Sequence, residues 1–356
     1  MVNVIYFNQW FSSITPVIQD LKNKLGNSIK VVGSSKNPSQ AYRNVVDTFI
    51  EEGWDETPDD YVNWLIQTLK DYYVDIAFIY KHQDWVAKDI DRIKLCLPNT
   101  TIVLDTDNFD VLNKKSGLYC TLKGFKDLES YIPKYWDLTL ASEFDEVINI
   151  LEDETSKTEI CLKLDSDVGG ESFRKIVYNK PKGISILKQN HTHTLLADEA
   201  YNMIQNLRNN DLEQIMCMEY LHGPEISVDC YDSNKGFISI CRSKNAGRVE
   251  EIFFDENIHN ICKSVYKSLN LGWPFNIQFR YANKECKSKN FLRITDLNLR
   301  LSGGSYLELV GSNGINLCMI CILDLLDKSD YYDIEQYKNF KKRLVTHFET
   351  AIEIKK

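Results

Sequence analysis

The sequence has little that a nucleic acid or a membrane would recognise. Its 356 residues carry a formal net charge of −9 and no basic stripe, whereas phosphate contacts dominate nucleic-acid binding and need one. The longest apolar runs, such as 315–326 "INLCMICILDLL", fall short of the roughly 20 residues that span a bilayer. The opening "MVNVIYFNQWFSS" lacks the basic start and cleavage pattern of a signal peptide. Paired cysteine spacing is nearly absent: of ten cysteines only Cys318 and Cys321 stand close together. They fall inside a helix-like apolar run and read as two small buried hydrophobes. A disulfide scaffold is thereby disfavoured and a reducing compartment expected. The first strand-to-helix turn, "FNQWFSSITP", has no Gly-x-Gly-x-x-Gly, so the usual dinucleotide cradle is missing. Internal repeats and low-complexity linkers are missing too. The expectation is a soluble, cytoplasmic protein with neither nucleic-acid nor membrane partners.

What is present is a globular composition, 43% hydrophobic and 26% charged, in a chain long enough for two or three subdomains. Over residues 1–105 short apolar runs ("NVIYF", "SIKVVGSS", "VDIAFIY", "TTIVLD") alternate with amphipathic helical patterns, which calls for a parallel sheet in an α/β layer. Residues 106–218 begin as helix, turn and helix around Pro133. They continue with short strands near "EICLKL" (159–164) and "GISIL" (183–187), then a helix at "LADEAYNMIQNLR". From 214 the pattern turns antiparallel, with "IMCMEYL", "EISVDCY", "GFISICRS", "FNIQFRY" and "FLRITDLNLR", and with helices at 256–270, 315–327 and 334–354. The fold class is α/β with an added antiparallel part (α+β).

The antiparallel strands share one device. In "FLRITDLNLR", Thr295, Leu297, Leu299 and Leu301 take one face and Asp296, Asn298 and Arg300 the other. In "FNIQFR", Asn276, Gln278 and Arg280 oppose Phe275, Ile277 and Phe279, and Glu225, Ser227 and Asp229 share a face of "EISVDCY". A wet sheet face gives such alternation for nothing. The polar face of "ITDLNLR", however, carries neither Lys nor Glu and is followed by two glycines. If the strands of Gln278 and Asp296 pair, their side chains sit about 5 Å apart, with Asn298 about 7 Å along. That spacing suits oxygen ligands around Mg²⁺, which completes its shell with water and phosphate. Two ions about 4 Å apart would bridge the end of a triphosphate.

A second cluster is "CLKLDSDVGGESFRKIV", 161–177, where Lys163 precedes a loop with Gly169, Gly170 and Ser172. Small residues let backbone N–H groups approach phosphate oxygens, and a lysine supplies a point charge. A hairpin turn is the alternative.

In their order these segments resemble the ATP-grasp superfamily over roughly residues 106–310, most closely the enzymes built like the large subunit of carbamoyl-phosphate synthetase. "DVLNKKSGLY" looks like the helix opening the central subdomain, which puts Lys114 at the first phosphate-binding cation. "CLKLDSDVGGESF" looks like the lid strand and loop, with Lys163 the second cation. "MEYLHGPEISVD" resembles the hinge, where Glu219, Tyr220 and Leu221 would line the adenine pocket and Glu225 would hold the ribose. "FNIQF" and "ITDLNLRLSGG" resemble the metal-bearing strands, with Gln278, Asp296 and Asn298 as ligands and Arg300 on the migrating phosphoryl group. Asp296 stands where most members carry Glu, and Leu299 replaces the usual Pro; Gln at position 278 is shared with the synthetase group.

The resemblance implies an ATP-grasp architecture: an N-terminal parallel pre-ATP-grasp subdomain (1–105), a central and lid part (106–218) and a C-terminal subdomain (219–356). It implies an ATP- and Mg²⁺-dependent ligase, with Mn²⁺ able to replace Mg²⁺. A carboxylate is activated as an acylphosphate for an amine or other nucleophile, with Arg300 and Lys163 in catalytic roles. It also permits a homodimer. The alternative is a catalytically degenerate relative that binds nucleotide or a partner. Among the remaining residues, His191 and His193 read as a capping loop. Arg242 and Arg248 read either as contacts to an acidic substrate or as a solvated hairpin. Trp10, Trp54, Trp64 and Trp85 read as core packing.

Overall fold

The computed structural model describes residues 2–9, 13–138, 140–153, 158–166, 172–179, 193–207, 215–244, 249–282, 291–338, 340–346 and 353. The chain forms two compact units. The first comprises Met1–Asp110, Glu225–Gln278 and Leu297–Lys356, and the second Val111–Pro224 and Phe279–Asp296. The expected boundaries at 105/106 and 218/219 follow chain order, whereas the units are defined by packing and are each assembled from separate stretches.

In the first unit, β1 (Asn3–Asn8), β2 (Ile29–Ser35), β3 (Thr48–Glu51), β4 (Ile76–Ile79) and β5 (Thr101–Val103) make a parallel sheet in the order β3-β2-β1-β4-β5. The strands are nearly continuous apolar runs, as a sheet covered on both faces requires. Phe7 and Phe78, partners across β1 and β4, stack at 5.1 Å. Thr57 caps the helix Pro58–Asp71 by accepting from Asp60 N, with proline at the first turn where a missing N–H costs nothing.

Beyond the carboxyl ends of these strands lies a buried polar cluster. Lys81 Nζ is 2.8 Å from Glu52 Oε1, and both side chains are almost fully buried. Glu52 also accepts from Ser34 Oγ at 2.8 Å and from Trp54 Nε1 at 3.3 Å. The lysine charge is thus answered within the chain. Trp54, Tyr61, His82 and Trp85 pack edge and face around it, in keeping with the packing role read for Trp54 and Trp85.

In the second unit, β6 (Tyr135–Asp137), β7 (Ile160–Leu164), β8 (Arg174–Val177), β9 (Thr194–Leu196) and β10 (Ile215–Glu219) form a mixed sheet in the order β6-β10-β7-β8-β9. Its apolar face, with Trp136, Ile160, Leu162 and Cys217, packs on the helices Ala141–Glu152 and Ala197–Leu207 through Phe144, Val147, Ala200 and Ile204. The strand expected at 183–187 lies outside the described residues.

The third sheet has the order β15-β14-β11-β12-β13-β16. Its strands are β11 (Glu225–Ser233), β12 (Gly236–Lys244), β13 (Val249–Phe253), β14 (Phe275–Tyr281), β15 (Leu292–Asn298) and β16 (Arg343–Thr346). One expectation fails here: 334–354 is not one helix. A single turn at Glu335–Lys338 gives way to β16, which pairs antiparallel with β13. Leu344, Val345 and Thr346 suit a strand, and β13 offers them an edge that no local signal announces. Cys318 and Cys321 are buried in the helix Leu317–Leu325, as read from the sequence.

Candidate functional site

The second unit concentrates positive charge around one carboxylate. Lys163 stands on β7 opposite Met216 of β10, one residue before the strand ends. Asp165 follows, and it ties β7 to the helix Lys115–Lys123. Its backbone oxygen accepts from Lys115 N at 3.2 Å, and its carboxylate accepts from Ser116 N at 2.7 Å and Ser116 Oγ at 2.5 Å. A buried carboxylate on the free N–H groups of a helix start is favoured by hydrogen bonding and by the helix dipole. On its other side the helix is tied to β15, where Tyr119 Oη donates to Thr295 O at 3.1 Å. These two ties bring Lys115, Lys163 and Asp296 together.

Lys115 is buried, with its Nζ 3.7 Å from Asp296 Oδ1. Lys163 is 9% exposed, and among the described residues its ammonium makes no ion pair. Burial, and after it the charge of Lys115, lowers the Lys163 pKa to about 8, with Asp296 opposing and Arg280 adding to the fall. Two buried lysines therefore crowd together near half-buried Asp296, with the charge of Arg280 also felt at Lys163. Such a cluster is destabilising by itself and is relieved by a multivalent anion.

The sequence pointed to Lys114 as the first cation. The structure leaves Lys114 exposed at the N-cap of this helix and turns Lys115 inward. Helix starts read from sequence are uncertain by a residue or two, and adjacent lysines leave nothing else to decide between them. Asp165 was not singled out either, because the helix start it faces lies 49 positions away in the chain. Ser172 Oγ accepts from Leu164 N at 2.8 Å and so anchors the start of the following segment to β7. Gly169 and Gly170 lie outside the described residues.

At the hinge, Glu219 N donates to Lys134 O at 2.9 Å, Lys134 N donates to Glu219 Oε1 at 3.0 Å, and Tyr220 N donates to Glu159 O at 2.8 Å. Leu221 is buried, and no described residue accepts from its backbone N–H. Lys175 Nζ sits 3.9 Å over the Tyr220 ring.

In the first unit the polar faces of β11, β14 and β15 form a connected network. Asp229, fully buried, accepts at Oδ1 from Asn276 Nδ2 (2.7 Å) and Ser302 N (2.9 Å), and at Oδ2 from Ser302 Oγ (2.8 Å). Asn276 Nδ2 also donates to Ser227 Oγ at 2.9 Å, and Asn276 Oδ1 accepts from Asn298 Nδ2 at 3.4 Å. Gln278 and Asn298 are half-buried, and Arg300 NH1 donates to Leu301 O at 3.2 Å. Glu225 is ion-paired to Lys244, its partner across β12.

Arg242 is not available to a substrate in this structure. Its guanidinium is 4% exposed and donates to Glu250 Oε2 (2.5 Å), Ser227 Oγ (3.2 Å) and Ser302 Oγ (3.3 Å). A side chain at Gly304 would meet the guanidinium carbon at 2.2 Å, so glycine is required for that approach. Glu308, buried beside it, has its pKa raised well above the usual carboxylate range by burial and then by Asp229. Arg248 and His191 lie outside the described residues, and His193 is exposed.

Among the described residues no three His, Cys, Asp or Glu side chains gather as metal ligands. The donors on β14 and β15 are instead hard oxygens, the amides of Gln278 and Asn298 and the carboxylate of Asp296. With the Asn298 nitrogen committed to Asn276, its oxygen is left to accept. Hard oxygens of this kind suit Mg²⁺, which needs few protein carboxylates when phosphates supply the rest.

The model of a family described as ATP-grasp in the biosynthetic pathway with Ter operon matches residues 211–348. No curated protein matches the chain. Solved structures do. The N5-carboxyaminoimidazole synthetase of Staphylococcus aureus, complexed with ADP, is similar at 14% identity and a TM-score of 0.61, covering 91% of this chain and 78% of that one. The biotin carboxylase domain dimer of Hydrogenobacter thermophilus 2-oxoglutarate carboxylase, with MgADP, ADP and bicarbonate, gives 13% and 0.65 over 97% and 74%. Campylobacter jejuni biotin carboxylase, in a β-γ-ATP complex, gives 16% and 0.64 over 97% and 75%.

Proposed function

We propose that this chain, an ATP-grasp protein by its fold, is an ATP-dependent ligase that activates a carboxylate as an acylphosphate for attack by an amine or another nucleophile. The observation that carries the reading is the buried pair Lys115 and Lys163 near the carboxylate of Asp296. A triphosphate would supply the missing negative charge. The N–H of Leu221, a buried hinge residue, has no acceptor among the described residues and offers a donor to the edge of an adenine. Lys115 takes the role that the sequence assigned to Lys114.

In this reading Lys115 and Lys163 hold the phosphates, and Arg300 meets the migrating phosphoryl group. Asp296, Asn298 and Gln278 are the protein oxygens for Mg²⁺ or Mn²⁺, which when bound neutralises charge on the phosphates. Transfer to the substrate carboxylate then depends on positioning and charge neutralisation more than on covalent help from the protein. The fold shared with the solved structures supports this reaction class. A homodimer, a soluble protein and a cytoplasmic setting complete the proposal.

The test is calorimetry with ATP and GTP in Mg²⁺, then phosphate release screened over carboxylate and amine pairs. ATP should be preferred, and Lys163→Ala should weaken its binding by about 1.5–3 kcal/mol, as for other charge-assisted hydrogen bonds. Absence of nucleotide binding would sink the reading. Binding without turnover across the screen would identify a nucleotide-binding module in its place.

A further inference from the structure

We infer that Asp229 and Asn276 are positioning residues that fix the orientation of the Asn298 amide and present its carbonyl oxygen to the metal–triphosphate; the inference rests on the ATP reading above. An asparagine amide has a donor end and an acceptor end of nearly equal shape, and only its neighbours decide which points where. Here the decision starts from a carboxylate. Asp229 is fully buried and, when ionised, offers acceptors alone. The group 2.7 Å from its Oδ1 must therefore be the Asn276 nitrogen. The reversed amide would set two oxygens against each other at that distance. Ser227 Oγ, 2.9 Å away, takes the nitrogen's second hydrogen.

With its nitrogen committed twice, Asn276 turns its oxygen toward β15, and that oxygen accepts from Asn298 Nδ2 at 3.4 Å. The second amide is fixed in turn. No described residue donates to Asn298 Oδ1, so the relay leaves one hard acceptor open among the described residues. Asn276 is itself fully buried, so the relay ends at half-buried Asn298. The same carboxylate holds Ser302 through two further bonds, at 2.9 and 2.8 Å, and this gives a control that perturbs Asp229 without touching either amide.

The experiment measures ATP affinity by calorimetry with Mg²⁺, with Mn²⁺ and with a chelator. It compares the parent with Asn276→Ala, Asn298→Ala, the double variant and Ser302→Ala, each checked for folding by thermal melting. Asn276→Ala should weaken the metal-dependent part of ATP binding about 10–100-fold, the range found when partners of metal ligands are removed. Affinity in chelator should be unchanged. In the Asn298→Ala background the same substitution should cost nothing further, and Ser302→Ala should leave metal-dependent affinity at the parent value. If Asn276→Ala does not fold, Asn276→Ser replaces it, since a hydroxyl still donates to Asp229 but falls short of Asn298. Equal losses in both backgrounds, or a loss that persists in chelator, would overturn the positioning role while leaving the ATP reading intact. Metal-dependent affinity indifferent to Asn298→Ala would overturn the metal assignment beneath it.

Discussion

Lys81 and Lys163 are both buried lysines near the ends of sheet strands, one in each unit, yet their surroundings differ. Lys81 is 2.8 Å from Glu52, a carboxylate that accepts from Ser34 and Trp54 as well. Lys163 has no such partner among the described residues, and a second lysine adds to its discomfort. A buried charge that is answered internally is part of the scaffold. One left unanswered within the described residues is the kind of charge that a bound anion would relieve.

The largest expected effect breaks the answered pair. Glu52→Gln leaves the Lys81 ammonium buried without a counter-charge, and removal of one partner from a buried ion pair costs about 3–5 kcal/mol. Urea unfolding should show that loss, and a change within about 0.5 kcal/mol would put Lys81 in the same class as Lys163. Next in size, Lys163→Met should leave stability unchanged or raise it by up to about 3 kcal/mol at neutral pH, the upper limit set by linkage, while nucleotide affinity falls. A clear loss of stability would make Lys163 structural.

The smallest effect concerns pH. With a folded-state pKa of about 8, Lys163 holds its proton less tightly than in the unfolded chain. Its contribution to stability is therefore least favourable below that value and improves as pH rises from there toward the value of a free lysine. Phosphate binding has the opposite slope. ATP affinity should decline as pH rises through about 8, by up to about tenfold per unit, and Lys163→Arg should flatten that decline because a guanidinium stays charged. A parent profile flat from pH 7 to about 9 would mean that no proton on Lys163 is coupled to ATP binding.

Much of this was legible in the sequence. Continuous apolar runs marked β1, β2, β4 and β5, and period-two alternation marked β11, β12, β14 and β15, since burial on two faces or on one leaves those patterns. Asp296 and Asn298 drew attention as site candidates because the polar face of β15 is too short-chained for an ordinary wet surface. Lys115 was not, because its inward turn depends on Asp165, a contact 50 positions away in the chain. Asn276 was placed on the correct face but given no task, since its role is decided by Asp229 on another strand. The short β3, β6, β8 and β13 carry too few residues for a period, and β16 exists only because β13 has an edge to offer.

That last strand also bears on how the molecule avoids its own kind. Among the described residues β16 is the outermost strand of its sheet, and a row of unpaired backbone groups at such a position invites another chain to add itself. Lys341, Lys342 and Arg343 lead into it and are all exposed. A second copy approaching in extended form would bring the same three cations against them. The strand that completes the sheet therefore carries a guard against runaway growth in its first residues.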